Sequence, residues 1–376
     1  MDEQLGVIKR KKLSPIVKWA GGKEQELKYI IPNLPTNFKR YFEPFVGGGA
    51  VYTAVQAEEY LINDKSEELI SLYKNIAKSR NESFKSALNE MIHNWNLLTN
   101  VTTTNSTFFT KLYRSFANEE INKQDLENRL YEFILKHAEQ FNGMFSINFN
   151  FNIENFLREL KINLVRKISR MKKIEAIKGK MNDTDVLQNI ETALKSAFYM
   201  HFRHIYNNER KYKINSEFKS AIFLFIRNFA YSGMFRYNSQ GDFNVPYGGM
   251  GYNRKNFAKK IEYLLSKELK KRLASTVIDC LDFEDFFRKN RPASDDFIFL
   301  DPPYDSEFSS YAKNTFDKND HCRLSTYLTE ECRAQWMLVI KNTDFIASLY
   351  ADKGLNIMAF DKTYLVSFMN RNEGVN

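Results

Sequence analysis

Phe42-Glu43-Pro44-Phe45-Val46-Gly47-Gly48-Gly49 sets a glycine cluster directly after a short strand-like run and directly before a helix-like one. Backbone free of side chains at a strand end and a helix N-terminus lets a small ligand approach closely. Working outward, Tyr41 to Phe45 and Leu61 to Asn63 read as strands around a helix from about Ala50 to Glu59, the beginning of a βαβ unit. Asn63-Asp64 ends the second strand about 20 residues past Glu43, where an acidic side chain can accept hydrogen bonds from ribose hydroxyls. The pattern fits an adenosyl ligand. It fits neither a phosphate loop, since no Lys and Ser/Thr follow the glycines, nor a dinucleotide site, since GxGxxG is absent. Tight turning alone is the other reading of any single glycine. Later, Thr276 to Cys280, Phe297 to Leu300, Trp336 to Ile340 and an extended region from Leu355 to Phe368 alternate with helix-like segments such as Phe257 to Leu273. These pieces predict one α/β sheet.

Asp301-Pro302-Pro303-Tyr304 closes the apolar run Phe297 to Leu300, a buried strand running into a rigid turn. Consecutive prolines fix φ and remove two backbone donors, so the Asp301 carboxylate and the Pro302 carbonyl can converge as acceptors on one planar amino group. Adenine N6 is such a group: its lone pair is shared with the ring, and acceptors on both hydrogens help localise that pair for attack. Tyr304 supplies a face for a base to stack on. An ordinary strand-to-loop turn is the alternative for the tetrapeptide alone. Near the N-terminus, Lys18-Trp19-Ala20-Gly21-Gly22-Lys23 joins an aromatic face, a glycine turn and a cation; Trp19 can sandwich part of a ligand and Lys23 can anchor a carboxylate.

Prolines are absent between Pro44 and Pro246, and glycines are sparse from about 50 to 230, so the middle of the chain is predicted to be helical. Phe156, Leu160, Leu164, Ile168 and Met171 recur at helical spacing with Arg158, Lys161, Arg166, Lys167, Arg170, Lys172 and Lys173 at other positions. That amphipathic basic helix serves equally as a solvated face or as a grip on phosphate. Ala221 to Phe229 suits a buried helix. The resulting division is 1–80 and 219–376 as two parts of a catalytic domain, with 81–218 as a helical insertion. The 376 residues carry a formal charge of +9, which favours a polyanionic partner, and 43% are hydrophobic, enough for a substantial core. Cys280, Cys322 and Cys332 have no metal spacing, Lys9-Arg10-Lys11-Lys12 lacks a leader's apolar stretch, and no run is long enough to span a membrane; a cytoplasmic protein without disulfides is expected.

Taken in order, these segments resemble the Dam-type (D12 class, α-class) DNA adenine-N6 methyltransferases. The likeness rests on Lys18 to Lys23, Phe42 to Gly49, Asp64 and Asp301 to Tyr304, and covers roughly 14–75 and 220–370. It implies a Rossmann-like, S-adenosylmethionine-dependent sheet whose helical insertion recognises the target. By this resemblance Trp19, Lys23, Glu43, Pro44, Phe45, Gly47, Gly49, Asp64 and Asp301 line the cofactor. Asp282-Phe283 lie near its adenine ring, and Asp301, Pro302 and Tyr304 meet the target base. Phe316 and Asp320-His321 look like the motif after the catalytic loop. Arg236-Tyr237-Asn238 to Phe243-Asn244-Val245-Pro246-Tyr247-Gly248 reads on its own as a hairpin within about 231–248, and resembles the family's DNA-contacting one. Arg236, Tyr237, Asn238, Asn244 and Tyr247 are therefore the DNA-binding candidates, with Tyr237 able to wedge into the space of an extruded base; an edge hairpin shielding the sheet is the structural alternative. Gly249-Met250-Gly251 stands where GATC-reading members offer a basic residue, so GATC is not assumed. Relatives usually continue past a segment like Ser367 to Asn372, which suggests truncation or a missing edge strand.

The expected reaction is direct transfer of a methyl group to N6 of a flipped adenine in double-stranded DNA, possible within a restriction-modification pair with a cognate endonuclease. No cysteine follows a proline, which disfavours cytosine-C5 chemistry. His93, His137, His201, His204 and His321 form no metal motif, and His201 with His204 reads as structural. Cytosine N4, a protein amide, or a catalytically silent DNA-binding subunit are the competing readings.

Overall fold

The structure is a computed structural model that describes residues 13–78, 80–145, 151–304 and 316–360. Strands β1 (Arg40–Glu43), β2 (Glu59–Asn63), β3 (Thr276–Asp279), β4 (Phe297–Leu300) and β5 (Gln335–Leu338) form one parallel sheet in the order β3-β2-β1-β4-β5. The central strands are covered on both faces, and β4 is apolar and buried throughout, while the outer strands β3 and β5 remain partly exposed. Tyr41, Ile62, Phe297 and Phe299 enter the larger core, while their neighbours Phe42, Leu61, Ile298 and Leu300 enter a second core with Phe283, Phe286 and Phe287. Alternation of side chains along a strand produces this split.

Several sequence-based boundaries move. The helix after the glycines is only Ala50–Ala54, because buried Arg272 donates to the carbonyls of Tyr52 and Val55 at 2.8 and 2.9 Å and closes its C-terminus. Phe257 to Leu273 is two helices, Phe257–Leu264 and Lys267–Ala274, restarted by Ser266, whose hydroxyl accepts from Leu269 N. Residues 355–360 form no strand, and the remainder of the expected extended region, 361–368, lies outside the described residues.

The middle is helical, dominated by Glu82–Thr104, Ser106–Ala117, Lys123–Lys136, Ile153–Lys178 and Asp183–Asn207. Asparagine starts most of these elements: Asn81, Asn122, Asn152 and Asn182 each accept a backbone N–H of the first turn, which satisfies donors the helix leaves unpaired. Phe156, Leu160, Leu164, Ile168 and Met171 are all buried along Ile153–Lys178. The helix Ser216–Phe229, capped by Asn215, runs through the expected boundary at 218. Buried Asn75 ties this helix to Glu67–Ala77 through Ser216 and Ser220. No helix among the described residues is long and apolar enough to cross a membrane.

Candidate active site

The chain runs β1, β2, β3 outward in one direction and then returns to place β4 on the other side of β1. The order reverses between β1 and β4, and the carboxyl ends of strands at such a switch point are where an open α/β sheet forms its crevice. Phe42 to Gly49 leaves β1 and Asp301 to Tyr304 leaves β4, so two motifs separated by some 250 residues of sequence flank that crevice as a consequence of topology. Asn63, buried at the end of β2, braces the rim: its Nδ2 donates to the carbonyls of Pro44 and Leu281, and its Oδ1 accepts from Leu281 N at 2.8 Å.

Lys23 is 3% exposed and its Nζ lies 2.5 Å from Asp301 Oδ1, with a further bond to Gly21 O at 2.7 Å. Its ammonium also sits 5.2 Å from the centre of the Tyr304 ring. Burial alone would lower the lysine pKa, but the Asp301 carboxylate and the Tyr304 hydroxyl outweigh it and hold the group above its ordinary value. Glu43 lies beneath them, buried, accepting from the Tyr41 hydroxyl at 2.6 Å. Desolvation, and then repulsion from Asp301, push its pKa well up and favour a neutral carboxyl there.

Asp64 accepts from Gly47 N at 3.0 Å and from Ser66 N at 2.9 Å. Burial raises its pKa to about 6 despite these bonds. Gly47 has φ +49°, and a Cβ there would stand 2.8 Å from Trp19 Cδ1; at Gly49 it would stand 2.5 Å from the Tyr73 hydroxyl. The glycines are thus required by the protein's own Trp19 and Tyr73 closing on the loop, a reason the sequence could not distinguish from ligand approach. Phe45, half-buried, meets Phe316 edge-on at 5.5 Å and Phe283 at 5.9 Å, forming an apolar wall beside the loop. Asp282 caps the helix Phe283–Asn290 and pairs with Arg323 at 2.7 Å and Lys65 at 3.3 Å. Burial opposes its ionisation, but these donors win and lower its pKa. Asp320 joins the same cluster through Arg323, and His321 is buried against Phe316 at 4.7 Å.

The stretch expected as a hairpin closes through two isolated antiparallel bridges, Ala230 with Tyr247 and Tyr237 with Phe243, instead of paired strands. Its stability comes from side chains of the insertion. Asn207 donates to Phe243 O and accepts from Phe243 N, both at 3.0 Å, while the Tyr199 hydroxyl and Arg203 donate to Val245 O. Among the DNA-binding candidates, Arg236 and Asn244 meet on the outer side, Nε to Oδ1 at 3.1 Å. Asn238 instead braces the turn, its Oδ1 accepting from Gln240 N and Asp242 N. Tyr237 is half-buried against Phe235 and Phe243. Tyr247 is corrected outright: at 8% exposure it packs on Trp95 and Tyr199 and donates to Asn253 Oδ1 at 2.8 Å, so it anchors the stretch from inside.

Residues 19–193 and 162–365 match the model of the D12 class N6 adenine-specific DNA methyltransferases. The chain belongs to this family. It is 25% identical to the type II methyltransferase M.CviBI of Paramecium bursaria Chlorella virus NC1A, over 90% of this chain and 86% of that protein. With the type II methyltransferase M.MjaIII of Methanocaldococcus jannaschii it shares 27% identity over 92% and 90% of the two chains. With a DNA adenine methylase of Vibrio cholerae it shares 22% over 96% and 94%. The protein is an adenine-specific DNA methyltransferase, which sets aside the cytosine-N4, amide and silent-subunit readings.

Residues of the methyltransferase that brace these segments and that sequence reasoning missed are mostly asparagines. Asn63, Asn207 and Asn253 are polar residues whose importance lies in burial and in partners far along the chain, and no local pattern separates them from the surface asparagines around them. His201, by contrast, is structural as its spacing suggested: burial drives its pKa down to about 3, and its Nδ1 pairs with Asn155.

Proposed function

We propose that this methyltransferase uses S-adenosylmethionine to methylate N6 of an adenine turned out of double-stranded DNA, and that it is the modifying half of a restriction-modification pair. The observation that carries the reading is the Lys23–Asp301 pair at the switch point of the sheet, 2.5 Å apart. Its opposite charges match the carboxylate and ammonium of a bound amino acid, Asp64 matches a ribose diol, and the Phe45, Phe283 and Phe316 rings match an adenine face. When bound, S-adenosylmethionine supplies an electrophilic methyl group on a sulfonium and leaves as the neutral thioether.

The chain's own residues then do the rest. Lys23 beside Asp301 keeps that carboxylate ionised, an acceptor without a competing proton. Asp301 and the Pro302 carbonyl accept the two N6 hydrogens, which turns the amino lone pair toward the methyl group. As N6 gains the methyl it becomes cationic, and the Asp301 hydrogen bond strengthens as that charge develops. The N6 proton leaves along this bond toward solvent. Tyr304 stacks on the extruded base and offsets part of the unstacking cost. Arg236 and Asn244 offer donors to phosphates or base edges, Tyr237 supports them, and the exposed cations Arg166, Arg170 and Lys173 of the insertion suit the DNA backbone.

Long-read sequencing of DNA from cells expressing the protein tests this reading. N6-methyladenine in one sequence context, lost in the Asp301→Ala variant, is the expected outcome. Unmodified DNA, or N4-methylcytosine alone, would overturn it.

A further inference from the structure

Arg227 stands in the last turn of Ser216–Phe229 and is 3% exposed. The ionisable side chains acting on its guanidinium are Tyr237, Tyr206 and Tyr199, and burial draws its pKa down to about 10. Its Nε has no hydrogen-bond partner among the described residues, while Nη2 donates to Lys18 O. Aromatic faces take the place of a counter-ion. The guanidinium carbon lies 4.5 Å from the centre of the Trp19 ring and 4.2 Å from that of Phe235. Trp19 closes on Gly47 on one side of this cluster. On the other, Phe235 meets Phe243 at 5.0 Å and Tyr237 at 5.1 Å. Side-chain contact is therefore continuous from the glycine loop to the stretch that carries Arg236 and Asn244.

We propose that Arg227 is a positioning residue that couples occupancy of the cofactor crevice at Trp19 to the grip of the 235–244 stretch on DNA. The proposal rests on the assignment of those two surfaces made above. Trp19 and Phe235 touch directly, ring centres 6.1 Å apart, and the planar cation packs against both, so a ring that shifts to stack on a ligand carries the other with it. Lysine, a compact point charge, cannot hold two faces at once. Coupling has a required signature: DNA must raise cofactor affinity by the same factor by which cofactor raises DNA affinity.

The test titrates S-adenosylhomocysteine calorimetrically into the protein alone and into its complex with a duplex carrying the sequence context found by long-read sequencing. Wild type is expected to bind about 5- to 100-fold more tightly in the complex, the usual range for coupled sites. Arg227→Gln and Phe235→Leu should each reduce that ratio to within about twofold of one, and Arg227→Lys should not restore it. The ratio is the readout, so a variant that weakens both measurements equally and keeps the ratio overturns the proposal, as does a wild-type ratio of one. Should Arg227→Gln fail to fold, Phe235→Leu, altering a half-buried ring, decides alone. Wild type that binds no S-adenosylhomocysteine in either state overturns the cofactor assignment itself and the coupling with it, whereas binding without tightening overturns the coupling only.

Discussion

The rim of the sheet and the helix Asp183–Asn207 serve one reaction in opposite ways. At the rim, the proposed chemistry sits in short contiguous motifs, Lys18 to Lys23, Phe42 to Gly49 and Asp301 to Tyr304, and the fold only has to bring their ends together. Along the helix the contacts are spread out: Thr192 and Lys195 reach Asn253, Tyr199 and Arg203 share the Val245 carbonyl, and Asn207 holds the Phe243 backbone. A site that touches reacting atoms needs particular groups at particular loops. A site that holds another segment in place needs only donors at helical spacing, and many sequences provide those.

The sharpest way to break this contrast is at Asp301. Asp301→Asn keeps the shape but removes the charge, and is expected to lower kcat by about 10²–10³-fold while duplex binding survives; single-turnover methylation and a gel-shift measurement check it, and near-normal turnover would reject the assignment. The second prediction addresses the helix. Asn207→Ala deletes both bonds to Phe243 and is expected to weaken duplex affinity about tenfold, with cofactor affinity unchanged; an equal loss of both would mean that the two regions are not separable.

A smaller effect belongs to Asp64, whose pKa is raised to about 6. An ionised acceptor suits ribose hydroxyls, so cofactor affinity should fall roughly severalfold between about pH 7 and pH 5, and should be flat in Asp64→Asn. The sign for stability is the reverse: with the folded pKa above the ordinary 3.8, the protonated form favours folding, fully below that value and progressively less as pH rises through about 6. Thermal melts across this window, compared with Asp64→Asn, should show it. The smallest expected change is at Asn182, whose side chain caps Asp183–Asn207. Asn182→Ala should cost about 1 kcal/mol in denaturant unfolding and leave kcat unaltered; a large loss of activity would assign the helix terminus a role beyond support.

The segments at the strand ends were legible because glycine and proline clusters punctuate the chain there, and because apolar runs such as Phe297 to Leu300 announce buried parallel strands. The helical middle was legible from missing prolines and from the period of Phe156, Leu160, Leu164, Ile168 and Met171. Tyr247 was misread because an aromatic in a turn-rich segment carries no mark of which way it faces; the ring turned inward to join Trp95 and Tyr199. Residue order alone determined the α/β class, the helical middle and the family. Tertiary structure decided that Lys23 meets Asp301, that Asn207 grips Phe243, and that Arg227 packs against both Trp19 and Phe235. Each of these joins residues far apart along the chain, and only burial makes such a contact strong enough to matter, because water would otherwise satisfy both partners.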